Sequence, residues 1–437
     1  MNRGLLKTIG INVCRFAVAA TLVFSGFVKA IDPIGTQYKL HDYLAAIGME
    51  SLVPDYVTLS ASVVLAAVEF TLGILLLFAI RRRLVSKLIL ALMTFMTAIT
   101  IWIVIADPVK DCGCFGDALK LTNWQTLGKN VVLLAMSAVV CHWPLSMVRF
   151  IGRANQWIAI NYTVIYSVMV SMYCLYDLPL FDFRPYHIGA NIRKGMEIPA
   201  GAEQPKFETT FLLKKNGKTK EFTLENYPDS TWTFVDSRTV QTSEGYVPPI
   251  HDFSMEDPKT GLDMTNDILD DPSYTFLLIS PHLENADDSN FGSINRIYDY
   301  CLAHKYKFYG LTASNAKAIE RWQELTGAEY PFLFTDETTL KTIVRSNPGL
   351  LLLKNGTIIQ KWSHNILPRM SEDMPDLDKL PEGRLPEKSA GKTLGYTLLW
   401  FFGPLLLLSF ADRTWAWTRW IRRRKEDAEK EEKKGKE

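Results

Sequence analysis

The 437 residues carry 48 Lys and Arg against 47 Asp and Glu, a net charge of +1 that gives no bulk electrostatic case for nucleic acid. Hydrophobic residues make up 48% of the chain, yet mean hydropathy is only +0.02, so apolar and polar stretches are segregated. Five apolar stretches lie in the first 176 residues and one near the C-terminus, with a long polar block between.

The predicted spans are Ile9–Ile31, Val57–Ile80, Leu84–Ala106, Trp124–His142, Trp157–Tyr176 and Thr393–Ala411. Each is close to the ~20 residues that cross the hydrocarbon of a bilayer. Five in succession with short connections argue against buried core helices. Arg3 and Lys7, Arg81 to Arg83 with Lys87, Arg149 and Arg153, and Arg419 with Arg422 to Lys425 all fall on one side of this pattern. The positive-inside rule makes that side cytoplasmic, with both termini inside. Residues 32–56, 107–123 and 177–392 then face outward. The first span is longer than a signal-peptide core and is expected to be retained.

The first span ends in Ser25-Gly26, Lys29 and Asp32-Pro33. The small residues permit close helix packing, and Lys29 is expected to snorkel to the interface. The mixed spacing from Ile34 to Leu44 suits a short helix on the membrane surface. Glu69 lies midway along the second span, where a carboxylate requires a partner, a cavity or a proton; a packing hydrogen bond and a functional role are both open. Asn130 is a second polar group able to point into a bundle.

Between the third and fourth spans lies Asp111-Cys112-Gly113-Cys114-Phe115-Gly116-Asp117. Two thiols one residue apart allow three readings. The first is a redox pair, with a strained and therefore labile disulfide. The second is a static disulfide bracing the loop. The third is half a metal site, the weakest because no His lies in the loop, and no metal is assigned. Asp111 and Asp117 are expected to raise the thiol pKa values, with Lys110 and Lys120 as the nearby cations. Cys174, at the outer end of the fifth span, is a candidate relay or resolving thiol. Cys14, Cys141 and Cys301 read as packing residues.

Several short motifs over residues 1–145 resemble the DoxX/MauE family of four-span membrane proteins. They are Ser25-Gly26, Lys29 and Asp32-Pro33; the loop from Gly35-Thr36 to Tyr43-Leu44; Glu69 and Gly73; Cys112-Gly113-Cys114-Phe115-Gly116; and Trp124 with Asn130. The resemblance implies a four-helix bundle with a redox-associated role, in a bacterial inner membrane with the outer side periplasmic. One branch of that family is tied to methylamine dehydrogenase maturation and another to quinone-linked thiosulfate oxidation. No residue of this chain points to methylamine. A quinone is the family-level candidate for an electron carrier, with Glu69 handling a proton.

The fifth span occupies 146–176 with its lead-in. Residues 177–246 read as an outer connector, aromatic and Gly/Pro-punctuated from Phe181 to Ile192 and expected to pack on the membrane surface. It contains a β-hairpin, Phe207–Lys214 and Thr219–Leu224 around Asn216-Gly217. From 247 to 370, strands (Tyr274–Ser280, Phe308–Thr312, Pro331–Phe334) alternate with helices (Asn290–Lys305, Ala316–Leu325, Thr338–Val344). A hairpin, Leu350–Lys354 and Thr357–Trp362, closes the block. Its ending, Asn347-Pro348-Gly349 through Asn355-Gly356, is similar to a thioredoxin-like domain with Pro348 as the cis proline. The dithiol that should follow Tyr274–Ser280 is missing: Pro281 to Asp288 contains no cysteine. The domain therefore reads as a non-catalytic docking module. Residues 371–392 read as a linker, 393–411 as the last span and 412–437 as a charged tail.

The expected fold is thus a multi-span α-helical membrane protein, a four-helix bundle plus two further spans, carrying an extracytoplasmic α/β thioredoxin-like domain. The expected function is thiol–disulfide or quinone-linked electron transfer through Cys112 and Cys114, with Glu69 and Cys174 assisting. The alternative is a non-enzymatic membrane-anchored assembly factor with a structural disulfide. Partners would be the lipid bilayer, an extracytoplasmic client protein and a quinone.

Overall fold

The computed structural model describes residues 3–109, 112–199, 201–202, 206–215, 218–223, 232–243, 245–251, 253–386 and 390–434. Helix α1 (Arg3–Ile31) breaks at Asp32, whose carboxylate caps α2 (Pro33–Ala46) by accepting from the Gly35 amide at 2.8 Å. Helix α3 (Asp55–Leu77) packs closely on α1 because two glycines face it. A Cβ on Gly26 would lie 2.3 Å from the Phe70 amide nitrogen, and one on Gly73 2.8 Å from that of Val23. Helices α4 (Arg82–Ala106) and α5 (Asn123–His142) complete a four-helix bundle. Buried Asn130 of α5 donates to Thr100 of α4 at 2.8 Å. Helix α6 (Gln156–Tyr176) packs against α1 and α3.

One end of the bundle is closed by Arg15, which is fully buried. Its guanidinium donates to the carbonyls of Leu76 (3.0 Å), Leu77 and Val148 (2.9 Å). It thus adds a donor at the C-terminus of α3, where Leu76 already accepts from the Ala79 amide at 3.0 Å, and ties that end to the segment after α5. The basic residues gather at this end. Arg82 donates to the carbonyls of Leu145 and Met147.

Beyond α6 the chain turns over the other end of the bundle, where Phe181 meets Phe27. It then leaves the bundle. Gly189 and Ala190 exchange backbone hydrogen bonds with Ile358, so this part of the connector lies along the edge of a sheet rather than on the membrane surface. Lys361 is buried beneath it, held by Asp182 at 2.9 Å and by the Tyr186 carbonyl. Helix α7 (Ile192–Met196) follows. Strands β1 (Lys206–Lys215), β2 (Lys218–Thr223) and β3 (Thr233–Ser243) form an antiparallel sheet in the order β2-β1-β3. The expected Asn216-Gly217 turn lies outside the described residues, and β3 was not anticipated because its polar alternation is weak.

The second sheet begins after α8 (Thr265–Leu269) with β4 (Tyr274–Ser280), buried along its whole length. Then come α9 (Phe291–His304), β5 (Lys307–Thr312), α10 (Ala316–Thr326), β6 (Phe332–Phe334), α11 (Glu337–Ile343), β7 (Gly349–Lys354) and β8 (Thr357–Ser363). Strand order is β6-β5-β4-β7-β8, with β4, β5 and β6 parallel and β7 and β8 antiparallel. That order, two right-placed helices and the cis Asn347-Pro348 bond before β7 are the thioredoxin-like arrangement. Residues 371–384, expected to be part of a linker, pack on this sheet beside Met370. Met370 and Leu377 are buried, and the Tyr274 hydroxyl donates to Asp378 and to the Gly383 carbonyl.

Helix α12 (Ala390–Lys434) returns along the bundle, with Phe401 packed against Phe70 and Tyr166. Its Asp412 accepts from Gly152 and Asn155, which brings it to the arginine-rich end. Among the described residues, six helices are long and apolar enough to cross a membrane.

Candidate functional site at the Cys-Gly-Cys loop

The loop between α4 and α5 covers the end of the bundle opposite Arg15. Asn123, at the start of α5, secures its first limb by donating to Asp107 at 3.1 Å and to the Val109 carbonyl at 2.9 Å. The tight turn depends on Gly113 (φ +62°) and Gly116 (φ +52°), which adopt a left-handed backbone that side chains disfavour. The Gly116 amide closes the turn on the Gly113 carbonyl at 3.0 Å.

Cys112 Sγ and Cys114 Sγ are 3.0 Å apart, a thiol hydrogen-bonding contact. A disulfide at ≈2.05 Å needs only about 1 Å of approach. Both main-chain carbonyls of the pair are held from below. The Tyr43 hydroxyl of α2 donates to the Cys112 carbonyl. Lys29 Nζ donates to the Cys114 carbonyl at 2.9 Å, and Ser25 Oγ lies 2.8 Å from the same oxygen.

Behind that carbonyl is a buried ion pair. Lys29 Nζ is 2.7 Å from Glu69 Oε2, and Ser25 Oγ is 2.7 Å from both groups. Lys29 is 6% exposed and Glu69 3%. Lys29 therefore does not snorkel: its ammonium turns inward because Glu69 and the Cys114 carbonyl supply the acceptors that the interface would otherwise provide. Lys29 and Ser25 lie one helical turn apart on the face of α1 that meets Glu69. An opposite-charge pair inside two adjacent spans was the available sequence signal for this contact.

The two thiols are not equivalent. The hydrogen bond from Cys112, then Lys129 and Lys29, hold the Cys114 thiol down at about 6, against the opposing effect of burial. The same hydrogen bond and then burial push the Cys112 thiol up. For Cys114 the direction is opposite to the expected rise, first because of the hydrogen bond from Cys112 and then because of the ammonium groups of Lys129 and Lys29. Lys129 also sits over the Phe115 ring, 4.2 Å from its centroid. Asp117 is engaged elsewhere, by Arg345 at 3.3 Å and Lys120 at 3.9 Å. Asp111 and Lys110 lie outside the described residues.

Cys174 is buried near the end of α6, beside Leu180 and Asp177. It takes no part in the hydrogen bonds that join Cys112, Cys114, Tyr43, Lys29, Ser25 and Glu69. Above the loop is a cleft of about 1110 Å³ between the bundle and the thioredoxin-like domain. Gly113 and Gly116 line its floor, Tyr38 and Lys341 its side, and His282 and Asn347 its roof. Pro281, His282 and Asn285, from the segment where the dithiol would lie, thus line the same cleft as Gly113 and Gly116. Cys114 lines a separate small space beside Phe115 and Thr126.

The fold defines a multi-span membrane protein with a thioredoxin-like domain and a Cys-Gly-Cys loop at one end of its bundle. Residues 7–144 match the family described as methylamine utilisation protein MauE and form a domain of that family. Residues 207–244, the three-stranded sheet, match a family described as a domain of unknown function, DUF8463. The search of curated proteins found no match. Two solved structures align with part of the chain. One is a candidate protein disulfide isomerase from Bacteroides thetaiotaomicron, at 15% identity and a TM-score of 0.22, covering 26% of this chain and 77% of that one. The other is an uncharacterized conserved protein from Geobacillus kaustophilus, at 17% identity and a TM-score of 0.23, covering 32% and 83%. The domain's assignment rests on its strand order.

Proposed function

We propose that this protein exchanges thiols and disulfides through Cys112 and Cys114. The observation that carries the reading is the 3.0 Å sulfur pair in a loop whose carbonyls are held by Tyr43 and Lys29, an arrangement that lowers the Cys114 thiol to about 6. At neutral pH Cys114 is then mostly thiolate, the attacking form. Cys114 attacks a partner disulfide and releases one partner thiolate. Cys112 then attacks Cys114 Sγ, closes the loop disulfide and releases the second partner thiolate. The Cys112 proton passes to a released thiolate. Two electrons move from the loop to the partner, and the reverse reaction oxidises a partner dithiol. A membrane quinone would supply the oxidant that returns the loop to its disulfide, taking up the two electrons with two protons, one from the Cys112 thiol and one from solvent. In this reading Glu69 and Lys29 fix the Cys114 carbonyl, and Cys174 is the candidate relay thiol at the same end.

The basic clusters at the Arg15 end support a cytoplasmic placement for that end. The thiol loop and the thioredoxin-like domain would then face the periplasm of a bacterial inner membrane, where disulfides persist. With no cysteine in its dithiol position, the domain serves docking, of its own bundle or of a client. The second reading is an assembly factor whose loop disulfide is only a brace. The clamping of both cysteine carbonyls favours it, because a brace also needs a fixed loop.

Trapping separates the two readings. Cys112→Ser in intact cells at neutral pH should accumulate a mixed disulfide at Cys114, and the captured chain identifies the client. No adduct, with the wild-type pair permanently oxidised, refutes exchange and leaves the brace. Cys174→Ser with undiminished exchange removes Cys174 from the relay.

A further inference from the structure

The thioredoxin-like domain reaches the bundle through Arg345, two residues beyond the end of α11. Its guanidinium forks onto the Asp32 carboxylate, with Nε 3.1 Å from both oxygens and an Nη also at 3.1 Å. The same Nη lies 3.3 Å from Asp117. Arg345 is 7% exposed and also stacks over the Tyr38 ring of α2, 5.2 Å from its centroid. A buried guanidinium bridging two carboxylates from different segments is an ordered, charge-assisted contact rather than a surface pair.

The positions of the two acids give the contact its meaning. Asp32 lies three residues beyond Lys29, and Asp117 three residues beyond Cys114. The inner hydrogen bond from Lys29 to the Cys114 carbonyl and the outer bridge through Arg345 therefore tie the same two segments together twice. We propose that Arg345 is a positioning residue for the Cys-Gly-Cys loop, so that the thioredoxin-like domain is an intramolecular part of the thiol site.

The anchor itself is held firmly. Arg345 donates to the Lys341 carbonyl at 2.6 Å, Ser346 bonds His364 and the Pro348 carbonyl, and Asn347 is bonded to Ser280 and to the His282 carbonyl. The turn that would face a substrate in a dithiol-bearing domain is here spent on holding the loop. Arg345 also balances Asp117. Cys114 is faced by Cys112, by Lys29 of α1, Glu69 of α3 and Lys129 of α5, and its own loop adds Asp117 and Lys120. Without Arg345, Asp117 keeps only the longer, exposed contact to Lys120 at 3.9 Å, and the group gains net negative charge.

The test uses the full-length protein in lipid nanodiscs. Hydrogen exchange of residues 112–118 and the pH midpoint of Cys114 alkylation are measured for wild type, Arg345→Gln, Arg345→Lys, Asp117→Asn and Arg345→Gln/Asp117→Asn. Arg345→Gln should speed loop exchange about tenfold. It should also raise the midpoint by about one pH unit, the size of one charge about 10 Å away at an effective dielectric of about 20. Lysine restores part of both, since it keeps the charge and loses the fork. Adding Asp117→Asn returns the midpoint and leaves exchange fast. Asp117→Asn keeps the Asp32 pair, hence the docked domain, and should still speed loop exchange. Wild-type exchange in both Arg345→Gln and Asp117→Asn overturns the proposal. The alkylation arm rests on the redox reading and the exchange arm does not. Fast exchange in the variants beside wild-type thiols that never titrate therefore refutes the redox reading alone.

Discussion

The buried pair Lys29–Glu69 gives the most exacting test of the site. Lys29→Met leaves a carboxylate, and Glu69→Gln an ammonium, at positions 7% or less exposed. Removing one member of a buried ion pair costs about 3–5 kcal/mol, whereas replacing both with apolar side chains is commonly neutral or better. Lys29→Met/Glu69→Met should therefore lie within about 1 kcal/mol of wild type, with a strong non-additive coupling. The thiol reports the same pair with opposite signs. Lys29 lowers the Cys114 pKa and Glu69 raises it. From a wild-type midpoint of about 6, Lys29→Met should move alkylation to higher pH and Glu69→Gln to lower pH, each by about one unit. At pH 6 the first variant then holds less thiolate than wild type and the second more. Thermal unfolding in nanodiscs and alkylation between pH 4 and 9 measure both quantities. Additive stability losses, or midpoints that move in the same direction, refute the argument.

Other substitutions probe the frame. Arg15→Leu removes the side-chain donor to the Leu77 and Val148 carbonyls and leaves Leu76 with the Ala79 amide; it should lower stability by about 3 kcal/mol, seen as a lower unfolding temperature with an unchanged Cys114 midpoint. Gly26→Val places a branched side chain where a Cβ alone lies 2.3 Å from the Phe70 backbone. It should push α1 from α3, separate Lys29 from Glu69 and raise the Cys114 midpoint, while Gly10→Val, in open space on the same helix, should do neither.

Much of the architecture is legible in the chain. Desolvating a backbone is tolerable only inside a helix, so twenty apolar residues in a row identify a span without reference to neighbours. Alternation of strands with helices, and Pro348 before the last hairpin, likewise state the second domain's class locally. The candidate thiols are visible because two cysteines at such spacing are a local signal. Their environment is not. Glu69 meets Lys29 across 40 residues, Tyr43 meets Cys112 across 69, and Arg345 meets Asp117 across 228.

An ionisable side chain in sequence has a charge but no neighbour. Lys29 can equally snorkel or turn inward, and Arg345 looks like any charge at the end of a short helix. Coulomb energies fall with distance and rise in a dry interior, so only packing determines which acid each cation meets. The sequence by itself determined six spans, two ends and a cysteine pair. The tertiary structure decided what surrounds the thiols: it set Cys112 within 3.0 Å of Cys114 and the Lys29 ammonium on the Cys114 carbonyl, and it tied a domain without cysteines to the loop that has them through Arg345 and Asp117.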